Sequence, residues 1–364
     1  MRILINALSG IGDAVMFSPA LSVLKKHLPN SQIDMLAMFS QVRDIYRSNR
    51  NLNRIFFIDF LHQSKVKSIR ELLAIRKNKY DVSINVYPSN RKEYNLLNRF
   101  IGAKRRPATK YDHFSFSNYD FLNNALTHEI KDRHNVLENF ELIKLIIKDA
   151  VEQELCGYDI NVGIDDEVHA TEYLIDNLLV DKFLVGFHAG SATFKRHINK
   201  RWDKDKFIEL AKKLHERYMA QILLFGTEKD VNEYIYKPIE SFTYIPEVNN
   251  IMHTIALMEK CKLFISNDAA LMHIASGLHI PTVAIFAYTN YKELHPWKSE
   301  HVVVRKDLEC SPCFFNSPKS VNCIYTGEDE FKCIKKLEAE EVLEGAEKLI
   351  QKIPGDIKPG HYVK

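Results

Sequence analysis

Residues Leu263–Phe286, which read LFISNDAALMHIASGLHIPTVAIF, decide the fold of this chain. The apolar run Leu263–Ser266 has the character of a buried strand, and it ends at the polar pair Asn267–Asp268. A helical pattern covers Ala269–Gly277, and a second apolar run, Thr282–Phe286, predicts another strand. Strand, polar turn, helix and strand form one βαβ unit. In such units ligands bind where the carboxyl end of a strand meets the start of a helix.

The same alternation of strands and helices runs through the rest of the chain. The strand patterns of the first half are Arg2–Ala7, Gln32–Ala37, Arg54–Ile58 and Asp81–Val86. The pattern restarts with a strand at Phe183–Phe187, a helix at Lys204–Tyr218 and a strand at Gln221–Phe225. Alternating strands and helices predict parallel sheets covered on both faces. We therefore predict an α/β protein with two Rossmann-like domains, residues 1–160 and 161–338, followed by a C-terminal helix and tail at 339–364.

The composition excludes several classes of protein. Of the 364 residues 46% are hydrophobic and 27% charged, as in globular proteins. The net charge of +3 argues against a nucleic-acid-binding protein. No uninterrupted apolar run approaches the roughly 18 residues of a membrane span, and Asp13 falls where the apolar part of a secretion signal would continue. We expect a cytoplasmic protein with at most peripheral contact with the inner face of the inner membrane.

Asp13 is the first candidate catalytic residue. It lies in the glycine-containing turn Ser9–Asp13, directly after the first predicted strand. An ionised carboxylate near a helix start can take a proton from an attacking hydroxyl group, although the same carboxylate can be an ordinary helix cap. A dinucleotide fingerprint is the competing interpretation, but Val15 stands in place of its third glycine and Asp34 falls near the start of the second strand.

A second set of candidates lies in the second half of the chain. The small residues of His188–Ala192 follow a strand and can expose backbone N–H groups to a pyrophosphate. Lys200 and Arg201 come next, before Trp202. The turn Phe225–Asp230 offers two carboxylates, and a carboxylate pairs well with the vicinal hydroxyl groups of a ribose.

These motifs together resemble glycosyltransferase family 9, the ADP-heptose:lipopolysaccharide heptosyltransferases. The resemblance rests on the amino-terminal opening, the small-residue loop with its Lys-x-Trp-type motif, and the order ND-x-x-LMH-x-A-x-x-L-x-x-P in the quoted stretch. It implies the GT-B fold, with the active site in the cleft between two Rossmann-like domains. The implied reaction is inverting transfer of heptose from ADP-heptose to a hydroxyl group of a lipopolysaccharide core or related glycan, with no cofactor required for catalysis.

The resemblance also implies a role for each candidate residue. Asp13 is the implied catalytic base. The implied donor-binding residues are Gly190, Ser191, Lys200, Asp230 (with Glu228 as the alternative), Asp268, Ala269, Ala270 and His273. Ala269 and Ala270 depart from the family, which has a hydroxyl residue and a glycine there. Two alternatives therefore stay open: a transferase using another nucleotide sugar for a surface glycan, and a homologue that binds a nucleotide or glycan without turnover.

Four of the six cysteines form a separate group. They are Cys310, Cys313, Cys323 and Cys333. A C-x2-C pair with two further cysteines can supply four thiolates to zinc or iron, and in the wider family the protein heptosyltransferases of autotransporters bind iron through a comparable set. We predict a structural zinc or iron site, with four reduced thiols under a loop as the alternative. A metal-organised assembly protein is a further alternative.

Overall fold

The computed structural model describes residues 1–111, 117–248, 250–315 and 320–354. The chain divides into two units, Met1–Asn161 and Val162–Lys364. Most of the predicted tail, from residue 355 onward, lies outside the described residues. Within the described ranges, no helix has the length and apolar character needed to cross a bilayer.

The first unit is built on a parallel sheet. Its strands are β1 (Arg2–Ala7), β2 (Gln32–Ala37), β3 (Arg54–Phe57), β4 (Val82–Asn85), β5 (Pro107–Lys110) and β6 (Ala125–His128). The first four pair in the order β3-β2-β1-β4, and β5 pairs with β6 in a separate two-stranded sheet. In register, Ile5 of β1 lies between Met35 of β2 and Ile84 of β4. Because both faces of β1 are covered, its residues from Ile3 to Ala7 are buried.

Helices connect these strands, as parallel pairing requires. They are α1 (Ile11–His27), α2 (Ser40–Tyr46), α3 (Lys65–Arg76), α4 (Lys92–Ile101) and α5 (Asn135–Lys144). Helix α1 keeps its course through Pro19 and packs against α5. Helix α3 packs against α4, with Arg76 donating to the carbonyl oxygen of Phe100 at 2.7 Å.

The second unit repeats the architecture with a larger sheet. Its strands are β7 (Leu184–His188), β8 (Gln221–Leu224), β9 (Thr243–Tyr244), β10 (Leu263–Asn267), β11 (Thr282–Ile285) and β12 (His301–Val304). They form one parallel sheet in the order β12-β11-β10-β7-β8-β9. Its core is rich in isoleucine, leucine, valine and phenylalanine and includes the buried ring of Trp202.

The helices of the second unit cover both faces of this sheet. They are α6 (Ile164–Asp176), α7 (Lys204–Tyr218), α8 (Lys229–Tyr236), α9 (Ile251–Glu259), α10 (Ala270–Gly277), α11 (Tyr291–Leu294), α12 (Lys332–Lys335) and α13 (Ala339–Ile350). The last helix, α13, packs on β11, β12 and α7. Its Gly345 lies so near β12 that a Cβ atom there would come within 3.0 Å of Val304.

Candidate active site

The strand order of the second sheet changes direction between β7 and β10, and we call the region outside the carboxyl ends of these two strands the crevice. Strands β7 and β10 are neighbours, but β8 and β9 lie beyond β7, whereas β11 and β12 lie beyond β10. In open parallel sheets ligands bind at such a switch point. The loop after β7 contains Gly190 and Ser191, and the loop after β10 contains Asp268. The fold therefore brings two of the predicted donor-binding segments to one edge.

Asn267, the last residue of β10, ties the two loops together. Its side chain is buried. The amide nitrogen donates to the carbonyl oxygen of Ala189 at 2.8 Å, and the amide oxygen accepts from the backbone N–H of Trp202 at 3.0 Å. A primary amide has its donor and its acceptor on two separate atoms, so Asn267 can bond at once to the loop after β7 and to the segment that carries Lys200.

Lys200 and Asp268 form an ion pair beside this link. The Lys200 Nζ atom lies 2.8 Å from Asp268 Oδ2, and the two side chains are 11% and 5% exposed. Thr289, which follows β11, donates to the same Oδ2 atom at 2.7 Å. Burial alone would raise the pKa of Asp268, but the charge of Lys200 and the hydrogen bonds from Lys200 and Thr289 lower it below the usual value. Asp268 is therefore ionised at neutral pH.

His273 lies one turn into α10, behind Asp268. The side chain is buried, and burial is the main cause that lowers its pKa to about 4, with the nearby charge of Lys200 adding to the effect. The imidazole is thus neutral at pH 7. Helix α10 starts after Ala269, which is extended at φ −157° and supplies no side-chain cap. Ala270 also lacks a polar side chain. Neither alanine therefore has a side-chain oxygen that could accept from the first N–H groups of α10.

Glu228, rather than Asp230, faces the loop after β7. The Glu228 Oε1 atom lies 3.3 Å from Arg201 Nη2, and Arg201 Nε donates to Ser191 Oγ at 3.1 Å. Asp230 lies in the first turn of α8 and is exposed. The turn therefore directs one carboxylate toward the predicted phosphate loop and the other toward solvent.

Gly190 leaves room for the Glu228 carboxylate. A Cβ atom on Gly190 would come within 2.3 Å of that carboxylate, so the end of the flexible Glu228 side chain would have to move. Gly226, at φ +111°, is also close, and a Cβ there would meet Glu228 at 2.8 Å and the His188 ring at 2.9 Å. Burial is the main cause that lowers the pKa of His188 to about 3, so this ring is neutral at pH 7.

Asp13 belongs to the first unit, where it lies in the first turn of α1. Its Oδ2 atom accepts a hydrogen bond from the backbone N–H of Gly10 at 3.0 Å. The carboxylate therefore does cap its own helix, as the alternative interpretation of the sequence expects. A cap of this kind holds a base in a fixed orientation, so the observation does not decide between the two roles. Ser9, in the same turn, donates to the carbonyl oxygen of Pro88 after β4.

One residue of the crevice, Thr289, carries no sequence signal of its own. It lies 21 residues after Asp268 in the chain, whereas Asn267 belongs to the quoted ND motif and Glu228 is the alternative to Asp230. The importance of all three follows from the sheet order, since strands β8, β10 and β11 all end at the same edge. A rule that pairs the ends of neighbouring parallel strands would find Thr289 from its position after β11.

The four clustered cysteines converge on one small cavity. This cavity also touches Tyr288 and Phe331, and its cysteines are Cys310, Cys313, Cys323 and Cys333. The backbone N–H of Cys313 donates to the carbonyl oxygen of Tyr288 at 3.0 Å, and that of Phe331 donates to Cys323 Sγ at 3.3 Å. The cysteine loop is therefore bonded to the residue that precedes Thr289.

In the described part of the chain the four cysteines line this cavity without being arranged as a metal-binding group. Within residues 1–111, 117–248, 250–315 and 320–354, no group of three or more histidine, cysteine or acidic side chains is arranged to hold a metal ion. Burial raises the pKa of Cys313 and, to about 12, that of Cys333. Without a metal these thiols stay protonated at pH 7, and a bound zinc or iron ion would displace their protons.

Comparison with known proteins identifies similar chains. The model of glycosyltransferase family 9 (heptosyltransferase) matches residues 69–323. Lipooligosaccharide heptosyltransferase 2 of Campylobacter jejuni is 23% identical over 364 residues, covering 96% of this chain and 99% of that protein. A family 9 glycosyl transferase from Veillonella parvula superposes with a TM-score of 0.73 at 22% identity, covering 96% of this chain and 97% of that one.

A second solved structure gives the same result. The ADP-heptose lps heptosyltransferase II of E. coli superposes with a TM-score of 0.72 at 20% identity, covering 97% of this chain and 99% of that one. Likenesses at this level of identity bear on the fold. They confirm the predicted GT-B class, in which each of two α/β units carries a parallel sheet.

Proposed function

The chain belongs to glycosyltransferase family 9, the heptosyltransferases, and from that premise we propose that it moves heptose from ADP-heptose to a hydroxyl group of a lipopolysaccharide core or related glycan, with inversion at the transferred carbon. The family predicted from the sequence is thereby confirmed, and the protein is a glycosyltransferase. ADP-heptose is the donor named for the E. coli structural relative, and lipooligosaccharide is the glycan named for the Campylobacter relative.

The observation that carries the proposal is the crevice between the ends of β7 and β10. It combines a small-residue loop at Gly190, the ammonium group of Lys200 and the start of α10 without a side-chain cap. Backbone N–H groups at a helix start and a lysine are the donors that hold a diphosphate. In this proposal the diphosphate of the leaving ADP lies against Lys200 and the first turn of α10.

Asp268 needs a separate role, because its negative charge would repel a phosphate at the same spot. We assign it the task of holding Lys200 in place, with one oxygen shared between Lys200 and Thr289. Its other oxygen is suited to accept from a sugar hydroxyl group. We propose that His273, which is neutral and buried, fixes the packing of α10 and donates a hydrogen bond to the nucleotide sugar.

The ribose of ADP is proposed to meet a carboxylate from the turn after β8. We propose Glu228 for this role because it contacts Arg201, which in turn donates to Ser191, whereas Asp230 is exposed. The matched pair Glu228→Gln and Asp230→Asn separates the two. The first should weaken ADP binding about tenfold, the usual scale for one charged hydrogen bond, and the second should leave it unchanged.

Asp13 is proposed as the general base that takes the proton from the acceptor hydroxyl group. Its cap bond to Gly10 holds the carboxylate in one orientation. A base fixed in this way meets the first requirement for proton transfer, which is geometry. Asp13 then holds this proton while the new glycosidic bond forms and the bond between the sugar and ADP breaks.

Calorimetric titration with ADP, UDP, GDP and ADP-heptose in EDTA tests the donor, and mass spectrometry of a glycan acceptor tests the transfer. Selective binding of ADP and ADP-heptose with a gain of one heptose supports the proposal. Preference for UDP or GDP would assign another nucleotide sugar. Binding of ADP without transfer to any acceptor would favour the silent homologue, which the replacements Ala269 and Ala270 motivate.

We also propose a structural metal ion and a cellular location for this protein. A structural zinc or iron ion on Cys310, Cys313, Cys323 and Cys333 is supported by their convergence on one cavity and by thiolate chemistry, and metal analysis well below one equivalent would refute it. A cytoplasmic location, at the inner face of the inner membrane, is supported by the use of a nucleotide sugar. Fractionation of cells into cytosol and membranes tests it.

A further inference from the structure

Helix α3 of the first unit exposes a stripe of apolar side chains. Val66, Ile69 and Leu73 are 79%, 52% and 46% exposed. A different side of the helix is its buried face, formed by Ser68, Leu72 and Ile75. Successive residues of a helix are about 100° apart, so the centre of the exposed stripe lies roughly 125° from the centre of the buried one. The helix thus has two apolar stripes, one buried within the first unit and one exposed.

Basic residues flank the exposed stripe on both sides. From Lys65 to Lys79 the chain has six lysines and arginines against one acidic residue, Glu71. By the same helical spacing, Lys65 lies on one side of the stripe and Arg70 and Lys77 on the other. Exposed apolar residues that occur singly need no explanation. Three of them along one helix, with cations on both borders, form the pattern of a helix that lies in the interface of a membrane.

The position of α3 fits a membrane-bound acceptor. Strand β3, which leads into α3, is parallel to β1, which leads to Asp13. The connection after β3 therefore lies at the same edge of the first sheet as the proposed base. It carries Leu61, another apolar side chain that is 62% exposed.

The second unit has an exposed apolar stripe of the opposite charge. On α6, Val168 and Ile175 are 50% and 56% exposed. The first turn of that helix carries Asp165, Asp166 and Glu167. Acidic residues beside an apolar stripe repel an anionic membrane. We therefore expect α3 to bind such a membrane and α6 not to bind it.

We propose that the exposed face of α3, defined by Leu61, Val66, Ile69 and Leu73 with Lys65, Arg70 and Lys77, docks on an anionic lipid bilayer. The apolar side chains enter the boundary between headgroups and acyl chains, while the lysine and arginine stems lie along it with their charges among the headgroup phosphates. The inference rests on the proposed function to the extent that the acceptor is a glycolipid held in that bilayer.

Sedimentation of the full chain with vesicles tests this docking surface. The vesicles are phosphatidylethanolamine with phosphatidylglycerol, compared with phosphatidylcholine alone. We expect binding to the anionic vesicles that weakens as salt is added, since exposed charges are screened over about 8–10 Å at physiological salt. The double variant Arg70→Gln, Lys77→Gln should bind about 25-fold more weakly, at roughly fivefold per cation.

Two further variants complete the design. Val66→Gln, Ile69→Gln, Leu73→Gln should reduce vesicle binding by at least tenfold, because it removes the inserting side chains and leaves the basic residues. The matched control Val168→Gln, Ile175→Gln on α6 should bind as the parent does. Circular dichroism and ADP titration of every variant check that the fold and the donor site are intact.

Several outcomes would overturn the proposal. They are no binding of the parent chain to anionic vesicles, equal binding to the neutral ones, or equal losses in the α6 control. A fall in oligomeric mass in the α3 apolar variant, with vesicle binding unchanged, would assign the stripe to a second copy of the chain. If the chain binds vesicles but no nucleotide, the proposed function fails while the docking surface stands.

Discussion

Replacing Lys200 by methionine should destabilise the second unit by about 3 kcal/mol at pH 7. The 2.8 Å pair with Asp268 is buried on both sides, and removal of one partner of such a pair costs roughly 3–5 kcal/mol, because the other charge stays buried alone. We take the lower end since Thr289 still donates to Asp268. The exposed Lys212→Met on α7 serves as control, with an expected change within about 0.5 kcal/mol.

The cost should shrink as the pH falls. In the parent chain the pKa of Asp268 is lower in the folded than in the unfolded state. Asp268 therefore contributes fully to stability at every pH above its unfolded pKa of about 3.9, and this contribution is lost only as the pH falls further. Without Lys200, burial raises the folded pKa instead. Protonation then removes the buried charge, and the loss of stability relative to the parent chain at the same pH should become smaller between about pH 7 and pH 5.

Urea denaturation followed by tryptophan fluorescence measures the loss of stability in the unit that contains Lys200 and Asp268. Both tryptophans of the chain, Trp202 and Trp297, lie in the second unit. The Lys200→Met, Asp268→Asn double variant completes a cycle, and we expect it to lose about 2 kcal/mol less than the sum of the single variants. Additivity within about 0.5 kcal/mol would show that the pair is not coupled and would refute the reasoning.

Three further predictions concern other parts of the proposed site. Asp13→Asn should bind ADP normally but lose turnover by roughly 10²–10⁴-fold; near-normal turnover in a donor-consumption assay would remove Asp13 from the mechanism. Gly190→Ala should lower the free energy of unfolding by about 1 kcal/mol, the low end for overpacking, because only the flexible end of Glu228 has to move; a loss that an added Glu228→Ser does not restore would contradict the clash. The folded pKa values of His188 and His273, about 3 and about 4, lie below the unfolded value of about 6.5. The unfolded chain therefore binds more protons below pH 6.5, and stability should fall by up to about 1.4 kcal/mol per pH unit for each histidine between about pH 6 and 4.5; equal urea midpoints at pH 7 and pH 5 would contradict this.

The regular elements were predictable because their signals are local. Strand β1 and helix α7 begin and end where the apolar patterns predict, at Arg2–Ala7 and Lys204–Tyr218. A pattern that continues past the end of an element is misleading, as after α5. The apolar stripe there predicts a helix over Asn135–Asp149, but the helix ends at Lys144, and the following N–H groups of Ile146 and Ile147 both bond to Ile143.

The candidate site was predictable as a set of motifs but not as a set of contacts. The distance of 68 residues between Lys200 and Asp268 hides their ion pair from any local pattern. Strand order creates it, since β7 and β10 become neighbours only in the folded sheet. The turn after β8 shows the same limit, because its composition contains two carboxylates and only the start of α8 at Lys229 determines which one faces the loop.

The cysteine cluster shows which part of a metal site can be predicted from spacing. Four thiols in one cavity satisfy the chemical requirement for zinc or iron. Metal binding also requires a ligand geometry and the displacement of the thiol protons, and neither can be read from spacing. Among the described residues the cysteines line the cavity without forming a metal-binding group.

The link made by Asn267 has a consequence for the conditions under which the crevice keeps its shape. An amide carries no charge at any pH, so its bonds to Ala189 and to the backbone of Trp202 do not respond to acid or to ionic strength. The ion pair of Lys200 with Asp268 does respond to acid, because protonation of the Asp268 carboxyl group removes one of its two charges. The positions of the crevice walls and the charge between them are therefore set by different groups, so acid can change the charge without loosening the walls.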